Sequence, residues 1–203
     1  MSQFIVEGGH PLSGTIRPAG NKNELQPALA ASLLTDEEIT LKNVPDTNDR
    51  ATLIAIMRDI GVRVDEPDAH TLKICAGSLN STSLNKDLCR KVRGGFMFSG
   101  PLLARHGKAT VPRPGGDKIG RRRVDTHILA LKALGAKIHT NHIYELRAPK
   151  GLTGADIFLD ERSVTGTENA VMAAVLAKGT TVIQNAASEP HVQQLCKMLN
   201  AMG

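Results

Sequence analysis

The stretch PRPGGDKIGRRRVDTH, residues 112–127, sets Asp117 among three glycines and the consecutive Arg121, Arg122 and Arg123. Arginine does not give up its charge, and its planar fork meets phosphate oxygens two at a time. Three adjacent cations repel one another unless anions share the site. Two readings of Asp117 follow. Paired with an arginine, its pKa falls and it is a structural ion. Desolvated, or set beside a second negative group such as a bound phosphate, its pKa rises and it becomes a proton donor. Asp125 is placed to cap the helix expected to begin near it.

Three other stretches offer sites for an anion. AGNKNELQPALAASLL, residues 19–34, leaves a glycine turn and enters a helix. Lys22 and Asn23 there lie where free N–H groups and the helix dipole favour negative charge. Equally, Asn21 or Asn23 is an N-cap, Lys22 is a solvated cation, and Pro27 fits the first turn. KDLCRKVRGGFMFSGPLLARHG, residues 86–107, reads as one helix with Arg90, Lys91 and Arg93 near its start. Gly94 and Gly95 inside it cost about 1 kcal/mol each relative to Ala, so a ligand or a neighbouring helix packs closely there. LDERSVTGTENAVMAAVLA, residues 159–177, reads as a strand end, a turn and a helix. Ser163, Thr165 and Thr167 are cap candidates, and TGTE (165–168) has capping-box spacing. Free N–H groups at this start also suit a pyrophosphate. The seven histidines show no ligand spacing, and neither a Walker loop nor a dinucleotide fingerprint is present. No metal site and no cofactor are read.

These candidates sit on repeated elements. ALAASLLTDEEITLKNVP (28–45), PLLARHGKATVPRPG (101–115) and AAVLAKGTTVIQNA (173–186) each read as an Ala/Leu-rich helix, a turn and a short β-branched strand. Each is followed by a loop and an amphipathic helix. Leu53, Ile56, Met57 and Ile60 fall at i, i+3, i+4 and i+7; Ile128, Leu131 and Leu134, then Val192, Leu195, Leu199 and Met202, follow similar periods. The first two amphipathic helices end at Gly61 and Gly135 and lead into hairpins around Val62–Val64 with Thr71–Ala76, and Ala136–His139 with Tyr144–Ala148. Thr40, Thr110 and Thr181 are spaced by 70 and 71 residues. The third unit reaches Gly203 with no hairpin, which predicts a chain cut from something longer. Residues 1–20 stand outside the repeat and read as two short strands.

The composition narrows the class. The chain has 203 residues, 41% hydrophobic and 22% charged, as a folded domain requires. Aromatic content is 2% and net charge +5, so the core is aliphatic and stacking platforms for single-stranded nucleic acid are missing. One arginine triplet without interleaved aromatics is a poor nucleic-acid footprint. Cys75, Cys89 and Cys196 read as reduced thiols. With no signal peptide and no membrane-length apolar run, a cytoplasmic protein without nucleic-acid or membrane partners is expected.

Taken together, LSGTIRPAGNKN, LKNVPDTND, PGGDKIGRRRVDTHILALKALGAKI and SVTGTENAVMAAVLAKGTTVIQNAASEP resemble the N-terminal half of the enolpyruvyl transferases over essentially the whole chain. PGGDKIG and VDTHI point within that family to the sugar-nucleotide branch of peptidoglycan synthesis. The resemblance implies an α/β fold, an inside-out α/β barrel lobe of three repeated βα units at about 21–85, 86–150 and 151–203, the third truncated. Residues 1–20 would be strands of a second lobe.

It further implies transfer of the enolpyruvyl group of phosphoenolpyruvate to the 3-hydroxyl of UDP-N-acetylglucosamine, with release of phosphate and no cofactor. The second lobe would bring the base and further arginines, so this chain alone would not turn over. Lys22 and Asn23 become phosphoenolpyruvate contacts, Lys22 also catalytic. Arg122 becomes a ligand of its phosphate or of the nucleotide, and Arg93 a sugar-nucleotide contact. Arg123, Val124, Asp125 and Thr126, with Arg162, Ser163 and Val164, line the UDP-sugar. Asp117 takes the place of the general acid.

That acid is a cysteine in many members, so Asp117 implies insensitivity to fosfomycin, which alkylates the cysteine. Arg123 in place of a usual Pro, Thr165–Gly166 in place of Gly–Ala, and NKNELQP in place of AKNAALP leave open another acceptor, or a paralogue that binds a phosphorylated ligand without turnover.

Overall fold

A computed structural model describes residues 3–116 and 123–203. Helix α1 (Lys22–Ala31) runs into a 3-10 turn (Ser32–Leu34), strand β1 (Ile39–Leu41), helix α2 (Asn48–Asp59) and the hairpin β2 (Arg63–Asp68)–β3 (Thr71–Cys75). The order then recurs. Short α3 (Lys86–Cys89), a 3-10 segment (Gly94–Phe98) and α4 (Ser99–His106) lead to β4 (Lys108–Pro112), α5 (Asp125–Ala133) and the hairpin β5 (Lys137–Thr140)–β6 (Ile143–Arg147). Strand β7 (Asp156–Phe158), α6 (Val164–Ala174), β8 (Val182–Gln184) and α7 (Pro190–Ala201) follow.

The two hairpins build equivalent antiparallel sheets, β1-β3-β2 and β4-β6-β5, whereas β7 and β8 pair in parallel. In the first sheet Ile74 faces both Ile39 and Val64; in the second Leu146 faces both Ala109 and Ile138. The amphipathic period of α2 is realised in full, since Leu53, Ile56, Met57 and Ile60 are all buried. Gly61 and Gly135 follow α2 and α5 at φ 91° and 94°, a left-handed turn that glycine adopts without strain. Two helices are the most enclosed elements. Residues Ser99–Leu103 of α4 and Gly166–Ala170 of α6 are buried without interruption.

Several local expectations change. Residues 86–107 are not one helix: the chain leaves α3 at Arg90 and re-enters a 3-10 turn at Gly94. Gly94 is packed against Gln26 of α1, whose side-chain oxygen would lie 2.9 Å from an added Cβ. Pro27 lies in the second turn of α1, with its ring buried. Described residues 3–20 form no strand, and Phe4, Ile5, Val6, Leu12 and Ile16 are exposed. No helix among the described residues is long and apolar enough to cross a membrane.

Candidate functional site

A cleft of about 580 Å³ opens where α1, the segment between α3 and α4, α5, α6 and the start of α7 converge. Its α1 wall is set by a cap. Asn21 Oδ1 accepts from the N–H groups of Asn23 and Glu24 at 2.7 and 3.2 Å, which starts the helix so that Lys22 and Asn23 face the cleft. Lys22 Nζ is 3.1 Å from Asp49 Oδ2, and Gln26 Nε2 donates to the same oxygen at 3.2 Å. Half-exposed Lys22 can exchange this surface ion pair for a ligand anion at little cost.

Opposite, Lys91 and Arg93 enter from the turn after α3. Arg93 Nη2 donates to the carbonyl of Arg123 at 2.6 Å, which fixes its guanidinium beside the start of α5. Gly115 and Gly116 donate to the carbonyls of Cys89 and Arg90 at 3.0 and 3.2 Å, so the strand end of β4 is docked on the end of α3. An added Cβ on Gly115 would lie 1.7 Å from the Arg90 carbonyl oxygen, which only glycine avoids.

Beneath the cations lies a neutral polar network. The amide of buried Asn169 is oriented by the Gly100 N–H, which donates to its Oδ1 at 2.9 Å. Its Nδ2 therefore donates to Ser99 Oγ at 2.8 Å and to His127 Nδ1 at 3.1 Å. With Nδ1 an acceptor, the His127 proton sits on Nε2 and is donated to Thr165 Oγ1 at 3.1 Å. Burial pushes His127 down to about 3, with the Arg93 charge adding to it, so the ring stays neutral. Phe96 packs edge-on against it at 5.1 Å. Thr165 accepts from His127 and has its own hydroxyl proton to give at the cleft wall.

At the α6–α7 end, Glu168 is 1% exposed, and burial pushes its carboxyl up to about 8, with the charge of Glu189 adding. Its Oε1 and the Nε2 of His191 are 3.9 Å apart, and both are buried without a hydrogen-bond partner among the described residues. Burial raises the Cys89 thiol to about 12 and leaves it unreactive. No group of three or more His, Cys, Asp or Glu able to hold a metal occurs among the described residues.

Of the residues singled out by sequence, Lys22, Asn23, Arg93, Val124 and Val164 line this cleft. Asp117 and Arg122 lie outside the described residues. Arg123 offers its carbonyl to Arg93, while its side chain pairs with Asp125 at the exposed start of α5. Asp125 is therefore an ion-pair partner and first helical residue, not a cap: the N-cap is Val124, which makes no side-chain bond. Thr126 is buried and donates to Asp160 at 2.8 Å, away from solvent.

Ser163 caps α6 by accepting from the Gly166 N–H at 3.1 Å. The expected TGTE capping box is not formed, since Thr165 engages His127 and Glu168 is buried. Arg162 is exposed beside this cap. Sequence reading missed Asp49, His127, Thr165, Glu168 and His191 as cleft residues. The available signal was Thr167-Glu168-Asn169, three polar residues in a row on a helix that is otherwise mostly Ala and Val.

The family model described as EPSP synthase (3-phosphoshikimate 1-carboxyvinyltransferase) matches residues 6–203. The chain is 53% identical over 201 residues to the UDP-N-acetylglucosamine 1-carboxyvinyltransferase of Bradyrhizobium diazoefficiens, covering 99% of this chain and 46% of that protein. It is 50% identical over 203 residues to the protein of the same name from Treponema denticola, covering 100% and 47%. The chain thus spans about half the length of these curated relatives. Among solved structures, the enolpyruvyl transferase NikO from Streptomyces tendae superposes with a TM-score of 0.81 at 24% identity, over 97% of this chain and 46% of that one. EPSP synthase from Acinetobacter baumannii gives 0.74 at 18%, over 94% and 44%. Both likenesses bear on the fold, a mixed α/β architecture.

Proposed function

We infer that this chain, which belongs to the EPSP synthase (3-phosphoshikimate 1-carboxyvinyltransferase) family, supplies one lobe of an enzyme that transfers the enolpyruvyl group of phosphoenolpyruvate to the 3-hydroxyl of UDP-N-acetylglucosamine, in peptidoglycan synthesis. The observation that carries this is the convergence of Lys22, Arg93 and the start of α6 on one cleft, in a chain half identical to relatives bearing that name. The fold is read correspondingly as an inside-out α/β barrel lobe with three repeated units, the third incomplete, and the N-terminal segment, which forms no strand over residues 3–20 within this chain, as one that becomes strands only on pairing with a second lobe. Both substrates are phosphorylated metabolites, which favours a cytoplasmic setting.

In the first step the acceptor oxygen bonds to C2 of phosphoenolpyruvate, its proton leaves to a base, and C3 takes a proton. A tetrahedral ketal results. In the second step the bond from C2 to the phosphate oxygen breaks, C3 gives up a proton, and the double bond re-forms as inorganic phosphate departs. Asp117 is the proton donor to C3. Lys22 and Asn23 hold phosphoenolpyruvate, Arg122 holds its phosphate or the nucleotide, and the fixed charge of Lys22, with that of Arg122 where it meets the phosphate, offsets the negative charge moving onto phosphate. Arg93, Arg123, Val124, Asp125, Thr126, Arg162, Ser163 and Val164 receive the sugar nucleotide. The base and additional cations come from the second half that the full-length relatives carry, so the 203-residue chain alone binds ligand without turnover.

Phosphate release tests this reading. The two-lobed enzyme should release one phosphate per enolpyruvyl sugar nucleotide formed, and none when shikimate 3-phosphate replaces the sugar nucleotide. Release with shikimate 3-phosphate alone refutes the acceptor. Robust turnover by the 203-residue chain refutes the need for a second lobe.

A further inference from the structure

The buried polar pair at the α6–α7 end of the cleft has no task in the reaction just described. Glu168 Oε1 and His191 Nε2 are each buried and unpartnered among the described residues, and they lie 3.9 Å apart. Leaving two such atoms unpaired costs about 1–3 kcal/mol each, and native interiors rarely carry that cost without a reason. Their separation is too long for a direct hydrogen bond, yet it suits one oxygen placed about 2.8 Å from both.

An oxygen that can both donate and accept meets every arrangement of their protons. A neutral carboxyl and an imidazole each offer either role. A phosphate oxygen only accepts and an ammonium only donates, whereas a hydroxyl does both. Charge favours the same choice. Burial and the Glu189 carboxylate set the ionisation of Glu168. The other ionisable groups of the cleft are occupied elsewhere: Lys22 on Asp49, Arg93 on the Arg123 carbonyl, His127 on Thr165 and Asn169. Lys91 lies on the exposed turn after α3. An anion at this end would face Glu189, while a neutral hydroxyl meets no such repulsion. The cleft is therefore divided into a cationic side and a neutral, hydrogen-bonding side.

We propose that Glu168 and His191 form a subsite for a carbohydrate hydroxyl, one ligand oxygen bridging the two side chains. This rests on the sugar-nucleotide reading of the cleft, because such a ligand carries its anionic diphosphate and its neutral hydroxyls at opposite ends. Glu168 and His191 then choose between a sugar nucleotide and the bare nucleotide.

Calorimetric titration of the chain with UDP-N-acetylglucosamine and, separately, with UDP tests this. Glu168→Met keeps the side-chain length and removes both oxygens. It should weaken UDP-N-acetylglucosamine about tenfold, the worth of one buried hydrogen bond, and leave UDP unchanged. His191→Phe, a change on α7 instead of α6, should give the same split, and circular dichroism melts of both variants report that they are folded. Equal weakening of both nucleotides, or no weakening of either, overturns the subsite, as does a bridging water that no sugar displaces. A wild-type chain that binds neither nucleotide overturns the sugar-nucleotide reading itself, and the subsite with it.

Discussion

Glu168→Gln should stabilise the ligand-free protein by an amount that grows with pH. Glu168 is 1% exposed and its carboxyl is raised from 4.5 to about 8. In the unfolded chain it ionises near 4.5; in the folded chain it stays protonated until about 8. The folded state therefore holds one more proton across that window, and stability is lost as pH rises through it. At pH 7 the window has been crossed by about 2.5 units, which at about 1.4 kcal/mol per unit costs roughly 3 kcal/mol. By pH 8 the cost approaches about 5 kcal/mol, a large part of a typical domain's stability. Gln is always neutral and has the same shape, so the variant escapes this loss. Urea denaturation followed by far-ultraviolet circular dichroism, suited to a chain without Trp, should give equal stabilities near pH 4.5. The gap should then widen to about 3 kcal/mol at pH 7. A difference that stays flat from pH 4.5 to 8 refutes the buried, protonated carboxyl.

Asn169→Ala removes the partner of the Gly100 N–H, Ser99 Oγ and His127 Nδ1 together; denaturant unfolding should show a loss of about 3–5 kcal/mol, and a loss below 1 kcal/mol contradicts the network. Gly115→Ala sets a methyl on the Arg90 carbonyl, so the end of β4 must lift from α3, with exchange of the backbone amides at positions 115 and 116 rising many-fold; unchanged protection contradicts the close approach. Peptide mapping after fosfomycin treatment should show residue 117 unmodified, because Asp117 cannot form the cysteine thioether; a stoichiometric adduct on Asp117 refutes this.

The recurring element order of the first two units was readable because it is written in local signals. The period of Leu53, Ile56, Met57 and Ile60 fixes a face, and Gly61 and Gly135 mark equivalent stops. What escaped is long-range. Residues 86–107 carry helical periodicity throughout, but the chain breaks at Arg90–Arg93 so that Gly115 can dock on the Arg90 carbonyl, 25 residues away in sequence. TGTE fits a capping box in isolation, yet Thr165 is claimed by His127 from another helix. Lys22, Asn23, Arg93 and Val164 line one cleft; Lys22 and Asn23 sit at a helix start that composition announces, whereas Arg93 and Val164 were singled out as cleft residues through the family resemblance alone. Glu168 and His191 were not singled out, because a lone acid on an apolar helix face reads the same whether it is capped, paired or waiting for a ligand.

Titration of UDP-N-acetylglucosamine into the wild-type, Lys22→Ala and Arg93→Ala chains tests most directly that this cleft receives the anionic substrate. The account expects saturable binding by the wild type, a ten- to hundredfold weaker Kd for Arg93→Ala after loss of a charge-assisted hydrogen bond, and no binding of shikimate 3-phosphate. The Lys22→Ala chain should bind the nucleotide with a smaller loss, and phosphoenolpyruvate much more weakly. Identical affinities in all three chains, or preference for shikimate 3-phosphate, would contradict it.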